Sequence, residues 1–374
     1  MSVISILLAI LVFSFIIIFH EFGHFIVAKA NHVGVIEFSL GMGPRILSWV
    51  SDGSKRHLLF FKSTAWFEEH PEFEDHTIYS WKILPFGGSC LMLGEEEDVD
   101  DERSFSRKSV WARMAIIFAG PFFNIILAFL LSLIVIGSIG HDPAVITRLD
   151  PGSAAEEAGL REGDVIREMG STSIVVNREV SYYTLFHKLD GSPVHFTVER
   201  DGQELDFEIA PKLTRDKAGN EQYLFGFYHS APRVKEGLWS ALKYSAYEVK
   251  FWIDTTVRSL GLMITGQVGM DQISGPVGIV QQVSNVVQES APEGAGTVTI
   301  NLLIFAILIT ANLGVMNLLP IPALDGGRLL FLIIELIRRK PLPQKVETYF
   351  NMGGFALLMA LMVFILGNDI LKLF

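Results

Sequence analysis

The chain has 374 residues and a formal net charge of −11; half its residues are hydrophobic and only 19% are charged. A mean hydropathy of +0.38 is too high for an ordinary soluble protein, and the acidic balance argues against nucleic-acid binding. One cysteine, Cys90, excludes an internal disulfide and a cysteine-based zinc cage, so any zinc site must be built from His and carboxylates.

Residues 1–19 are apolar apart from Ser2, Ser5 and Ser14 and carry no charge. About 20 such residues cross a bilayer as a helix. The stretch lacks a basic leader and a small-residue cleavage site, so it reads as a retained span rather than a signal peptide. It runs on without a break into His20-Glu21-Phe22-Gly23-His24. On a helix, His20 and His24 stand four apart on one face, where two imidazoles can clasp one metal ion. Glu21 points roughly 100° away, where a base acting on metal-bound water belongs. The plainer alternative is a chance match with both imidazoles at the lipid surface. Ionisable groups at membrane depth are costly, which favours the functional reading.

A polar stretch follows, residues 31–109. VIEFSLGMGPRILSW and ILPFGGSCLMLGE read as strand-like ribbons, and the acidic run EEEDVDDE as a solvated loop. Residues 110–136 form a second apolar segment, with Arg103, Arg107 and Lys108 before it and Arg113 in its first turn, interrupted by Gly120-Pro121. Beyond Arg113 its one strongly polar side chain, Asn124, either acts directly in a site or bonds a carbonyl freed by the Pro kink. Residues 142–213 have the composition of a soluble domain, with a hairpin across Asp201-Gly202. Residues 238–264 read as an amphipathic helix whose Trp239 and Trp252 suit a membrane interface, so it is expected along the membrane; a surface helix of the soluble domain is the other option. A third apolar segment, residues 298–319, ends in ITANLGVMNLLPIPALDGGR. Pro320 and Pro322 force the backbone to unwind just before Asp325. A short helix then leads to a fourth span at residues 352–366.

HEFGH inside an apolar span, GPFFN in the second and NLLPIPALDGG after the third resemble the motifs of the site-two protease family of intramembrane zinc metalloproteases. The resemblance implies one zinc ion held by His20, His24 and Asp325, with Glu21 catalytic. It implies that Asn312 and Asn317 hold the substrate backbone, and that residues 41–44 and 85–93, including Gly87 and Gly88, form a hairpin that takes an unwound substrate as an added strand. Asp325 could instead, or as well, cap the helix that follows it. Two departures stand out: the interval between the hairpin motifs is longer than usual in the family, and GGSC replaces an aromatic residue after the glycines. LDPGSAAEEAGLREGDVIREMG resembles a PDZ domain. There Leu224, Phe225, Gly226 and Phe227 would be the loop that cradles a peptide carboxylate, or else a buried strand.

The expected fold is a multi-pass α-helical membrane protein of about four transmembrane helices, with a membrane-associated β-hairpin and one inserted extracytoplasmic α+β PDZ domain. The expected division is residues 1–30, first transmembrane helix; 31–109, cytoplasmic loop with the hairpin; 110–140, second helix; 141–232, PDZ domain; 233–297, amphipathic region; 298–350, third helix and the short helix after it; and 351–374, fourth helix. Lys and Arg crowd the first loop and residues 338–345, so both loops are expected in the cytoplasm and the PDZ domain outside it. The resemblance implies an endopeptidase of the cell membrane that cleaves transmembrane segments of single-span proteins trimmed beforehand by another protease, such as anti-sigma factors or remnant signal peptides. The rivals are a non-catalytic PDZ adaptor on a membrane anchor and, less readily, a transporter.

Overall fold

The computed structural model describes residues 3–95, 99–215, 219–267 and 275–371. In chain order its elements are α1 (Val3–Ala30), β1 (Val35–Ser51), β2 (Arg56–Phe60), α2 (Thr64–Glu68), β3 (Ile78–Met92), α3 (Val110–Ile139), β4 (Arg148–Leu149), α4 (Ala154–Glu157), β5 (Val165–Met169), β6 (Thr172–Ser173) and α5 (Asn177–Phe186). They continue as β7 (Val194–Arg200), β8 (Gln203–Ile209), β9 (Lys212–Arg215), β10 (Glu221–Leu224), β11 (Phe227–Tyr228), α6 (Leu238–Ile264), α7 (Pro276–Ser290), α8 (Ala295–Asn317), α9 (Asp325–Arg338) and α10 (Gln344–Leu371). The chain divides into two compact units, Met1–Leu131 with Leu260–Phe374, and Ser132–Ser259.

Four helices are long and apolar enough to span a bilayer: Val3–Ala30, Val110–Ile139, Ala295–Asn317 and Lys345–Asp369. The protein is a multi-pass membrane protein. The fourth helix begins at Gln344 rather than near 351, because hydropathy marks the apolar middle of a helix and not its polar first turns.

In the first unit, β1 pairs antiparallel with β3 from Val35↔Met92 to Trp49↔Tyr79, with several register shifts. The long interval between them adds a third strand, so the sheet order is β2-β1-β3 rather than a plain hairpin. The rest of that interval folds over one face of the sheet and buries Val50, Phe67, Phe73 and Ile78 in a small core of its own. Strand alternation leaves Trp49, Leu58, Phe60 and Trp81 exposed, an aromatic-rich apolar surface of the kind found at lipid boundaries. Arg113 on α3 meets Glu335 on α9 at 2.5 Å with both side chains largely buried, and removing one partner of such a pair costs about 3–5 kcal/mol. Asp369, near the end of α10, accepts the backbone N–H groups of Gly275 (3.1 Å) and Gly278 (2.8 Å) and so anchors the start of α7. The adjacent Ser274 and part of the acidic run, residues 96–98, lie outside the described residues.

The second unit has the PDZ arrangement in a permuted order. Strand β5 is flanked by β6 and β7, β8 continues the sheet, and β11 returns at the end to pair with β4 near the start. The β7–β8 connection puts Asp201 and Gly202 at φ +53° and +77°, the left-handed pair that a two-residue hairpin turn requires. Ile146, Ile166, Met169, Phe196, Val198 and Ile209 fill the core. Arg200 grips the buried Asp164 through two nitrogens at 2.6 and 2.7 Å. Helix α6 packs against the soluble domain. Through Trp252 and Phe251 it packs on Tyr182 of α5, and Glu248 accepts from both Arg178 (2.6 Å) and the Trp252 indole (2.9 Å). Trp239 remains 83% exposed while Trp252 is 7% exposed, so only the first suits an interface. Periodicity shows which face of a helix is apolar, not what covers it.

His229, after β11, donates through Nδ1 to Asn177 Oδ1 at 2.6 Å. Burial lowers its pKa, only partly opposed by its own backbone and Asp142. With a folded value below the unfolded one, the unfolded chain binds more protons, so stability is full above about pH 6.5 and declines as pH falls below it. A His229→Gln chain should therefore lose less of its thermal midpoint between pH 8 and pH 5 than the native chain, as read by differential scanning calorimetry.

Candidate active site

The site grows out of three elements of the first unit. Helix α1 buries His20 and His24 one turn apart, each 7% exposed. Between α8 and α9, Pro320 and Pro322 interrupt the helical ladder and Ala323 turns at φ +66°, so α9 starts afresh at Asp325. The cap position is Leu324, without a side-chain hydrogen bond, and the Asp325 carboxylate is turned toward the two imidazoles instead.

His20 Nε2 lies 3.2 Å from His24 Nε2 and 3.1 Å from Asp325 Oδ2, and His24 Nε2 lies 3.5 Å from the same oxygen. Donor atoms of a tetrahedral zinc site with bonds of about 2.0–2.1 Å stand about 3.3–3.4 Å apart. The triangle matches one face of that tetrahedron. Asp325 Oδ2 is buried and accepts no hydrogen bond, as expected of an atom whose partner is a metal ion. Among the described residues no fourth His, Cys, Asp or Glu joins the group, so a fourth coordination position is left for water or substrate.

Helix α3 crosses this pair closely. A Cβ on Gly120 would fall 2.2 Å from His24 Nε2 and 2.8 Å from His20 Cε1, and one on Gly23 would fall 2.5 Å from Ala119 O. Only glycines at these two positions let α1 and α3 meet with the imidazoles between them. His24 Nδ1 donates to Ile116 O at 2.8 Å, which leaves Nε2 as the nitrogen with a lone pair to offer.

A cavity of about 320 Å³ opens on the triangle. Its wall includes Glu21, Cys90, Met92, Glu95, Asn317 and Arg328. Glu21 Oε2 accepts the backbone N–H of Cys90 on β3 at 2.9 Å, which fixes the carboxylate on the wall. Glu95 accepts the N–H of Met92 at 3.3 Å and forms an ion pair with Arg328. The alternate N–H groups of β3 that face the site are thus held by carboxylates.

Of the other residues singled out in the sequence, Asn317 lines the cavity and Asn312 does not. Gly87 turns at φ +84° beside Met42, and Gly88 brings β3 against Glu21, whose Cγ would stand 3.4 Å from a Cβ there. Leu224 ends β10, and Phe225-Gly226 form a tight loop before β11, with Phe225 buried and Gly226 at φ +78°. Sequence reasoning passed over Arg328 and left Glu95 in the solvated acidic run, whereas its side chain is largely buried against Arg328. The signal for Arg328 was present: three residues after Asp325, it shares that residue's helix face.

The chain is similar to several known proteins. The sequence profile of Peptidase family M50 matches residues 8–69 and 69–361. The chain is 34% identical over 373 residues to a Clostridium acetobutylicum protein that carries the name zinc metalloprotease, covering 99% of this chain and 98% of that one. It is 30% identical over 438 residues to the regulator of sigma-W protease RasP of Bacillus subtilis, covering 100% of both. A likeness to the PDZ domain of the SdrC-like protein of Listeria innocua covers 25% of this chain and 100% of that one, at 23% identity and a TM-score of 0.20. The chain belongs to peptidase family M50 and is an intramembrane zinc metalloendopeptidase of the site-two type.

Proposed function

We propose that His20, His24 and Asp325 hold the zinc ion, that Glu21 is the general base, and that the substrates are single-span membrane proteins already shortened by another protease. The observation that carries this is the convergence of two imidazoles from α1 and a carboxylate from α9 on one triangle, with Glu21 on the wall of the same cavity. A zinc ion bound there would polarise the scissile carbonyl and acidify a water. Glu21 takes a proton from the attacking water and delivers it to the leaving amine. Asn317, on the cavity wall, offers hydrogen bonds to a peptide that has left its own helix, and the edge of β3 offers more, whereas Asn312 lies outside that wall. The glycines Gly87 and Gly88 keep that edge close to Glu21. The Leu224–Phe227 segment is assigned as the peptide-binding loop of the PDZ domain.

The basic residues of the first loop and those at 338–345 support placing the active site toward the cytoplasm and the PDZ domain outside it, in a cell or inner membrane. The domain division given above is retained, with β2 and α2 inside the second segment and α6 inside the amphipathic one. A membrane-bound anti-sigma factor fits the proposed substrate class. So do signal-peptide remnants. Family membership speaks against a non-catalytic adaptor.

The test is reconstitution of the full chain in lipid vesicles with a single-span substrate, supplied either with or without a folded domain on the PDZ side. Cleavage within the apolar segment is expected for the shortened substrate and not for the intact one. Equal cleavage of both would refute the requirement for prior trimming, and no cleavage of either by zinc-loaded protein would refute the substrate class.

A further inference from the structure

We infer that Asn124 is a positioning residue for the metal centre, the group that fixes His20 as a ligand through its second ring nitrogen. This rests on the reading of His20, His24 and Asp325 as metal ligands. A neutral imidazole that binds a metal through Nε2 carries its proton on Nδ1, and that proton needs an acceptor. For His24 the acceptor is Ile116 O, at 2.8 Å. For His20 the atom facing Nδ1 is the Asn124 amide nitrogen, at 3.1 Å, while Asn124 Oδ1 is buried without a hydrogen-bond partner. Amide oxygen and nitrogen are told apart only by the bonds they make. Turned by half a rotation, the amide presents Oδ1 to the His20 Nδ1–H, and the orphaned acceptor gains its donor.

The placement follows from the helix. Ile116, Gly120 and Asn124 are spaced by four along α3 and form one stripe facing α1. Its first member accepts from His24, its second makes room for both rings, and its third meets His20. Asn124 is fully buried, and Thr310 of α8 donates to its backbone oxygen at 3.2 Å, a bond that any side chain at this position keeps. The second span, which carries Pro121, therefore serves the metal centre from outside the ligand set. Asn124 touches neither substrate nor metal; it acts through His20.

The test compares the full-length native protein, Asn124→Leu and Asn124→Asp in detergent, all verified as folded by thermal unfolding. Zinc affinity is measured by competition with a chelator, and ligand geometry by the visible spectrum after cobalt substitution. Removing an outer-shell partner typically weakens metal affinity about 10–100-fold. Asn124→Leu should do so and shift the cobalt bands, whereas Asn124→Asp, which still accepts from Nδ1, should stay within about threefold of native and keep the spectrum. Should Asn124→Leu not fold, Asn124→Ala takes its place. Native affinity and spectrum in the Leu or Ala chain would overturn the assignment. So would equal weakening by Asp, which would point to packing alone. A native chain that binds no zinc would instead sink the ligand reading on which the assignment rests.

Discussion

Replacing Glu21 by Gln is expected to lower the cleavage rate by about 10²–10⁴-fold, the usual contribution of a positioned general base, while leaving one zinc ion bound per chain. Gln keeps the size of the side chain, and its amide oxygen can still accept the Cys90 N–H that holds Glu21 at 2.9 Å. What it loses is the ability to accept a proton from water at neutral pH. The ligands themselves are untouched. A single-turnover assay on a reconstituted single-span substrate, run beside metal analysis of the same sample, separates the outcomes. Near-native turnover would remove Glu21 from the chemistry, and loss of zinc together with activity would show that the carboxylate supports the site rather than acts in it.

The second large effect is expected from one added methyl group. Gly120→Ala places a Cβ 2.2 Å from His24 Nε2 and 2.5 Å from its Cε1, and these belong to a ring tied by its other nitrogen to the Ile116 backbone. The ring cannot swing aside without breaking that bond, and α3 cannot retreat without opening its contact with α1 at Gly23. Overpacking by itself costs about 1–3 kcal/mol, which a helix bundle can tolerate. The metal site is less forgiving, since ligand distances hold within about 0.2 Å. The Ala chain should therefore insert and fold while its zinc content falls from one ion per chain toward none, with cleavage no faster than that of Asp325→Ala. Native zinc content and activity would mean that α3 does not lie against the imidazoles as described.

Much of this centre could be read from local patterns. HEFGH states its own geometry, because helical spacing alone puts His20 and His24 on one face. The Pro-x-Pro before Asp325 likewise announces a broken helix with a carboxylate at the next start. The parts that stayed hidden depend on partners distant in sequence. Nothing near Glu21 indicates that its carboxylate will be met by a backbone N–H of β3, since every non-proline residue carries that donor. RHLLF is too short and too mixed to declare itself a strand, and β2 exists because the exposed edge of β1 gives it a ladder. Asn124 was visible as an oddity in an apolar span. Its role was not, since a freed carbonyl and a ligand's ring nitrogen would both account for it. Trp252 misled for a similar reason: an aromatic on an amphipathic helix suits a lipid surface and a protein core equally well until its neighbours are known.

An amide hydrogen serves one strong acceptor at a time. On the rim of β3 the Met92 amide is already engaged by Glu95, which in turn is clasped by Arg328. A substrate strand added there, as proposed, would have to evict that side chain, whose carboxylate occupies the place of the peptide carbonyl. Docking of the added strand proposed above would thus be an exchange rather than the filling of an idle edge. Displacing Glu95 in that way would also free the Arg328 guanidinium, one helical turn beyond Asp325.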